Sequence, residues 1–598
     1  MSQSKILILL RLYITLLLIF VTQKVVFMLV NMGLADGAPF GSCVAALWHG
    51  LRLDSVMSCY LLLLPAVAIL VSFFIKKFPL RKVLNPYYIV VAILLSIIFV
   101  ADTVLYLFWG AKLDANDLMY ATKPKDMLAS LPVWAIVLAF VVVAAVAFHY
   151  TRRLCHATPK QTTRSRSPFY ALVMLPLFGL LVLGMRGSVT ESTANPSYAY
   201  FSPHPFCNHA ALNPTFNMLH SLFKVQDLGS EFNNRPDDEV AMLLSGVFEP
   251  DGVVVDSLLT TSRPNVLLLI WESGGSGMVM NDSVGHNLMA LSREGVNFTN
   301  CYANSFRTDR GLISVLNGWL GLPTTSLMKR TDLCRNLPSI AQSLRAEDYA
   351  TSFTYGGDID FTNMRLYLSE TGFDEVRGSG WFPRSQYESA WGVPDHYMLT
   401  PALIPTQRPF FAAALTLSSH EPWDVPMHRL VDVKQNAFAY TDSCIGAFIS
   451  QLKAMPLWDS LLVIIVPDHG ITYGDVHSTS DVRVARIPMV WVGGVVRRPC
   501  EIDCLMSQSD LAATLLTQLG LDTEPFVFSR NVLGPTYPER KHFAMHAYKN
   551  GANIVTPDGV YTYDCIDRSL APVDTSVQTF TEALLQRLYQ TTARLSSK

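Results

Sequence analysis

Five apolar runs crowd into the first 185 residues, and they constrain this chain more than any other feature. They lie at 9–30, 57–75, 88–109, 132–149 and 169–185. A helix needs about 20 apolar residues to cross the ~30 Å hydrocarbon layer of a bilayer. A single run of this kind is as easily a buried soluble helix as a span. Five in succession predict a five-helix membrane domain over 1–185. More spans, not a small-residue cleavage site, follow the first run, which argues against a removable signal peptide. The loops set the orientation. Lys76, Lys77, Arg81 and Lys82 follow the second run, and Arg152, Arg153, Lys160, Arg164 and Arg166 follow the fourth, with no acid among them. Loops rich in Lys and Arg stay in the cytoplasm. An odd number of spans then places everything after 185 outside it.

The rest of the chain changes character. Residues 186–262 are rich in Ser, Asn and Pro, as in "TESTANPSYAYFSPHPFCNHAALNPTFN", and are expected to connect two domains, with short interfacial helices such as "NMLHSLFKV". From 263, short continuous apolar runs appear: "NVLLLIW", "ATSFTY", "FFAAALTLS", "LLVIIVP" and "IPMVWVGG". Helix-like segments lie between them. That alternation predicts an α/β domain over 263–540 with a largely parallel central sheet covered on both faces. Residues 541–598 extend it and end in an amphipathic helix. The net charge of −2 says little about partners, and the lack of a basic stripe with interleaved aromatics argues against a nucleic-acid binder. Of ten cysteines, Cys207, Cys301, Cys334, Cys444, Cys500, Cys504 and Cys565 follow the last span. An extracytoplasmic compartment permits disulfides. Cys500 and Cys504 are read as a disulfide loop or, alternatively, a metal pair.

Open α/β sheets collect ligands beyond the carboxyl ends of their strands. Glu272 follows "NVLLLIW". Asp468 and His469 follow "LLVIIVP". His420 follows "FFAAALTLSS", and a "GGD" turn with Arg365 beyond it follows "ATSFTY". Each alone is a solvated turn; together they form a candidate site. Glu272, Asp468 and His469 make an O/O/N ligand set suited to a divalent cation, Mn²⁺ first, with Zn²⁺ or Mg²⁺ as alternatives. Thr308 stands in "SFRTDRG", at the start of a helical pattern. It serves as an N-cap, or as a fourth ligand and nucleophile, since a cation lowers the pKa of a hydroxyl beside it. Arg307 and Arg310 hold a phosphate or pair with nearby acids.

The pattern "PNVLLLIWES … SFRTDRG … SSHEPW … PDHG … SQSDLAATLLTQLG" resembles the alkaline phosphatase and sulfatase superfamily. Within it, five spans, a connector and a catalytic domain resemble the lipoteichoic acid synthase branch. The resemblance implies that Glu272, Thr308, Asp468 and His469 are metal ligands and that Thr308 is also the nucleophile. It implies that Arg365 and His420 contact substrate. Asp358 falls at a matching spacing before Arg365, and His477 is a further candidate phosphate or metal contact. It implies a multi-pass protein of the bacterial cytoplasmic membrane, a phospholipid donor, and a glycan or lipid acceptor. The transferred group would be glycerophosphate or phosphoethanolamine. A phosphodiesterase, phosphatase or sulfatase-like hydrolase and an inactive lipid- or glycan-binding relative are the alternatives. Two departures stand out. "RTDRG" lacks the Cys or Ser and the Pro of a formylglycine motif, which disfavours sulfate-ester hydrolysis. Thr362 and Asn363 occupy the positions of an aromatic pair found before the substrate arginine in the glycerophosphate-polymerising enzymes.

Overall fold

The computed structural model describes residues 3–597 except 36, 76–77, 111, 114, 116–132, 159–167, 191, 223–226, 251–256, 390 and 538–541. The chain divides into two compact units, Met1–Val225 and Gln226–Lys598. The connecting segment at 186–262 is shared between them.

The first unit is built on helices Gln3–Asn31, Phe40–Phe74, Leu80–Trp109 and Val133–Ala157. Among the described residues these four are long and apolar enough to cross a membrane. The expected fifth span coincides with a shorter apolar helix, Pro168–Arg186, of 19 residues, which is not among these four. Large apolar side chains such as Leu18, Leu29, Phe140 and Phe148 point outward, as they do where lipid is the solvent. The second helix starts well before the expected 57. Its early turns carry His49, Gly50, Arg52 and Asp54, which interrupt the apolar run but not the helix. Asp54 is buried against Lys24 of the first helix and accepts the Asn213 amide at 2.9 Å. Gly50 allows this packing, because a Cβ there would lie 2.5 Å from both Lys24 Nζ and the Ala211 carbonyl. The Arg52 guanidinium sits 3.3 Å from the Tyr198 ring centroid, and Tyr106 hydrogen-bonds His209 at 2.9 Å. Residues up to Leu222 are therefore packed structure, not loose linker.

In the second unit a nine-stranded sheet runs in the order β4-β3-β5-β1-β6-β7-β2-β8, with β9 beside β2. The strands are β1 (Asn265–Trp271), β2 (Val296–Tyr302), β3 (Ala350–Tyr355), β4 (Glu375–Arg377), β5 (Phe410–Leu415), β6 (Leu461–Pro467), β7 (Arg486–Val492), β8 (Cys500–Ile502) and β9 (Met506–Ser507). Pairs from β4 through β6 are parallel; β7 runs antiparallel to both β6 and β2. The expected mostly parallel sheet is present. β1 is central and wholly buried because both its faces are covered. Leu267, Leu269 and Trp271 enter one core with Phe438, Ile445 and Phe448 of helix Val433–Lys453. Val266, Leu268 and Ile270 are buried on the opposite face. The carboxyl ends of β1, β3, β5 and β6 thus open on one edge.

A second, four-stranded antiparallel sheet, β10 (Ala544–Tyr548), β11 (Gly551–Thr556), β12 (Gly559–Asp564) and β13 (Ser569–Ala571), precedes the final helix Thr575–Arg594. That helix braces the segment after Thr308: Trp319 Nε1 donates to Thr592 at 3.1 Å, and Thr324 meets the Tyr589 hydroxyl at 2.7 Å. A buried ion pair ties the same region. Arg530 donates to Asp510 at 3.0 and 2.6 Å and to the Phe543 carbonyl at 2.9 Å. Removing one partner strands a buried charge. Asp510→Ala is expected to cost about 3–5 kcal/mol in urea unfolding of the second unit, whereas loss of a surface pair costs about 1 kcal/mol or less.

Candidate active site

β1 ends at Trp271, and the chain turns sharply. Ser273 takes φ 60°, the left-handed region that a non-glycine residue enters only when its surroundings hold it there. Three contacts hold this turn. Ser273 N donates to Asp468 Oδ1 at 2.8 Å, its hydroxyl donates to Glu272 Oε1 at 2.7 Å, and Glu272 N donates to Thr416 Oγ1 at 2.9 Å. The Ser419 hydroxyl donates to the Glu272 carbonyl at 2.7 Å. β6 delivers Asp468 and His469 beside it, and the Gln508 amide donates to the Asp468 carbonyl at 2.9 Å. The ligand atoms of Glu272, Asp468 and His469 all lie within 4.8 Å of one another.

Helix Thr308–Asn317 brings in the fourth residue. Arg307 is its N-cap, in extended conformation and without a side-chain capping bond. Thr308 is therefore the first helical residue and not the cap. Its hydroxyl is turned to Glu272 Oε2 at 3.1 Å and to His469 Nε2 at 3.5 Å. Close approach of the helix depends on Gly311, where a Cβ would lie 2.1 Å from the Asp468 carbonyl oxygen. Gly311→Ala is expected to push the helix off the end of β6. It should lower the melting temperature by roughly 5 °C or more, on the scale of about 1 kcal/mol for each few degrees. It should also weaken cation binding, measured on the same sample by calorimetry.

The cluster is buried: Glu272 is 2 %, Asp468 0 % and His469 8 % exposed. Burial, and then the nearby Glu272 carboxylate, push the Asp468 carboxyl up to about 7. Burial works against the His469 cation, but the Asp468 and Glu272 carboxylates outweigh it and hold that imidazole above its usual range. Asp468 Oδ2 is buried without a hydrogen-bond partner among the described residues. A buried carboxylate oxygen without a hydrogen-bond partner calls for a partner of another kind, such as a cation. Two carboxylates and an imidazole with an adjacent hydroxyl are hard and borderline donors that fit a divalent cation.

The remaining expected residues divide. Arg365 pairs with Asp360 at 2.7 Å. Asp358 Oδ1 accepts the Asp360 N–H at 3.0 Å in the same turn, where Thr362 and Asn363 both have positive φ. The His420 ring lies 4.5 Å from that of Trp391, and Trp391 lies 5.8 Å from Phe361. Arg307 is exposed and 3.9 Å from Asp309, which Lys329 also pairs with at 3.0 Å. Arg310 turns elsewhere, donating to the Thr325 carbonyl at 3.0 Å and lying over Phe306. His477 is exposed and lines a separate depression with Lys434 and Tyr473. The expected disulfides are not formed: all ten cysteines are free thiols. Cys334, for example, spends its S–H on the Leu327 carbonyl at 3.2 Å. Sequence reasoning missed Ser273, Thr416, Ser419 and Gln508, the groups that hold Glu272 and Asp468 in place. It also missed Trp391, which lies far from any motif.

The parallel-rich sheet carries Glu, Thr, Asp and His at its carboxyl edge, and residues 264–521 match the sulfatase family. The chain is similar to lipoteichoic acid synthase 2 of Bacillus subtilis, 23 % identical over 250 residues, and to lipoteichoic acid synthase 1 of the same organism, 23 % identical over 286. These matches span 37 % and 42 % of this chain and 37 % and 43 % of the relatives, well under two thirds of their length. Two solved structures share the fold. An alkaline phosphatase superfamily protein from Vibrio parahaemolyticus has TM-score 0.53 and 24 % identity, covering 61 % of this chain and 99 % of that one. The lipoteichoic acid synthase LtaP from Listeria monocytogenes has TM-score 0.50 and 18 % identity, covering 60 % and 98 %.

Proposed function

We propose that this protein is a membrane-anchored phosphotransferase that moves a phospholipid head group, through a phospho-threonine ester, to a glycan or lipid acceptor outside the cytoplasm. The observation that carries this is the Thr308 hydroxyl, 3.1 Å from Glu272 Oε2 and 3.5 Å from His469 Nε2, beside the Glu272–Asp468–His469 cluster. The similarity to lipoteichoic acid synthases supports the transferase class. The Lys/Arg-only loops after the second and fourth helices, with Pro168–Arg186 counted as a span, support an extracytoplasmic catalytic unit.

Glu272, Asp468, His469 and Thr308 would hold the divalent cation, Mn²⁺ being our choice. When bound, it supplies Lewis-acid charge that favours the deprotonated hydroxyl and offsets negative charge on phosphoryl oxygens. Thr308 Oγ1 forms a bond to the donor phosphorus, and the bond from phosphorus to the diacylglycerol oxygen breaks. That oxygen leaves with a proton as diacylglycerol. The acceptor hydroxyl then bonds to phosphorus and the bond to Thr308 Oγ1 breaks. Backbone N–H groups at the start of helix Thr308–Asn317 and the exposed Arg307 would meet the phosphate's charge. His420 Nδ1 donates to the Glu421 carbonyl at 2.7 Å, which leaves Nε2 to exchange a proton with leaving group or acceptor. Membrane helices suit this chemistry, since donor and diacylglycerol both stay in the bilayer.

The test is turnover of fluorescent phosphatidylglycerol and phosphatidylethanolamine by the full chain in proteoliposomes with Mn²⁺. Labelled diacylglycerol should appear, and rapid acid quenching should leave a phosphodiester mass shift on the peptide containing Thr308. Absence of release from both donors sinks the proposal. Release with transfer to water alone, whatever acceptor is offered, converts it to a phosphodiesterase.

A further inference from the structure

The turn after β3 and a distant segment meet to form a second feature beside the cluster. Gly357 and Gly392 bridge antiparallel, and Val393 N donates to the Gly356 carbonyl at 3.0 Å. Such a bridge sets the flanking residues, Asp358 and Trp391, opposite each other. Glycine is needed for this approach: a Cβ at Gly392, where φ is +140°, would lie 2.3 Å from the Gly356 oxygen. The Trp391 ring is then 5.8 Å from Phe361, edge-on at 81°, and 4.5 Å from His420. All of these side chains are partly exposed. His420 follows Ser419, whose hydroxyl donates to the Glu272 carbonyl at 2.7 Å, so the Trp391 ring is tied to the edge of the cluster.

We propose that Trp391, Phe361 and Asp358 form a recognition box for a primary ammonium carried two carbons from the phosphate, so that the head group handled here is phosphoethanolamine. This deepens the proposed function and rests on it. An indole face and a carboxylate each attract a cation. A glycerol head group brings no charge for either to meet. Arg365, on the same turn and paired with Asp360 at 2.7 Å, places positive charge for the phosphate side. A zwitterionic head group thus finds a partner of opposite sign for each of its charges.

Calorimetric titration of the full chain with Mn²⁺ compares O-phosphoethanolamine with sn-glycerol 1-phosphate. The first is expected to bind about tenfold more tightly, in line with the strength of a partly desolvated cation–π contact. Trp391→Leu should bring the ratio of affinities close to one, and Trp391→Phe should restore most of it. Equal affinity in the wild type, or a preference that survives Trp391→Leu, overturns the box. Turnover of bis(p-nitrophenyl) phosphate, which has no head group, separates the two ideas. Turnover without ethanolamine preference removes the box and leaves the phosphotransferase. An ethanolamine preference in binding without turnover of any diester keeps the box and removes the phosphotransferase.

Discussion

Thr308→Ala is expected to abolish release of diacylglycerol, by on the order of 10³-fold or more, a loss of about 4 kcal/mol of transition-state stabilisation. The fold should hardly change. Thr308 is the first helical residue and makes no capping bond, so the helix keeps its end and alanine suits its interior. The melting temperature of the cation-free protein should stay within a few degrees, on a stability change of about 1 kcal/mol or less. Thr308→Ser retains the hydroxyl and loses only the methyl that narrows its rotamers. It should recover a measurable part of the rate and form a phosphoserine ester on the same peptide. Steady-state turnover, melting and acid-quench mass spectrometry on three proteins decide the matter. A Thr308→Ala protein that still releases diacylglycerol at more than a few per cent of wild type removes the covalent route. An alanine variant that is inactive because it is unfolded is recognised at once by its melting curve.

What the sequence carried of this site followed from the strength of the local signals. β1, β5 and β6 are uninterrupted apolar runs, and their residue-by-residue burial is what such runs require. Reading past their ends found Glu272, Asp468, His469 and His420 without structural help. β2 was not legible in the same way. Asn297, Thr299 and Asn300 break its apolar pattern, and its place is set by pairing with β7 through a register shift between Phe298 and Cys301. The second sheet had its own signals, Asn550-Gly551 and Asp558-Gly559, with positive φ at Asn550 and Gly559. Short strands with mixed polarity made them weaker than the buried runs. In the first unit, Asp54 and Gly50 looked like loop residues because polar groups inside an apolar helix are rare. Their partners, Lys24, Asn213 and Ala211, are fixed by tertiary packing that no local pattern records. Trp391 is the extreme case. Nothing within its neighbourhood marks it, and only the Gly357–Gly392 bridge brings it to His420.

Asp468→Asn is expected to separate the two faces of the cluster, raising stability without cation and removing the response to it. In the cation-free protein the Asp468 carboxyl is fully buried, its Oδ2 lacks a hydrogen-bond partner among the described residues, and burial with the Glu272 charge lifts it to about 7. A folded-state pKa above the unfolded value of 3.8 means that the stability this group contributes is complete below about pH 4 and is lost as pH rises toward 7. Without cation, wild-type melting temperature should therefore fall between pH 4 and pH 7, and the asparagine variant should show a flatter profile. Its Oδ1 can still accept the Ser273 and His469 N–H groups, both at 2.8 Å in the wild type. Its amide hydrogens can meet the Glu272 carboxylate that repelled Asp468. Added Mn²⁺ reverses the order. Saturation at about 100 times Kd stabilises a native state by about 2.7 kcal/mol, and that gain requires a charged ligand that asparagine does not provide. The wild type should gain several degrees with Mn²⁺ and regain stability near pH 7, while Asp468→Asn gains almost none and loses turnover by on the order of 10³-fold. Melting curves in chelator and in Mn²⁺, read at pH 4, 5.5 and 7, give both results independently of any substrate. Equal Mn²⁺ stabilisation of the two proteins would place the cation elsewhere than on Asp468.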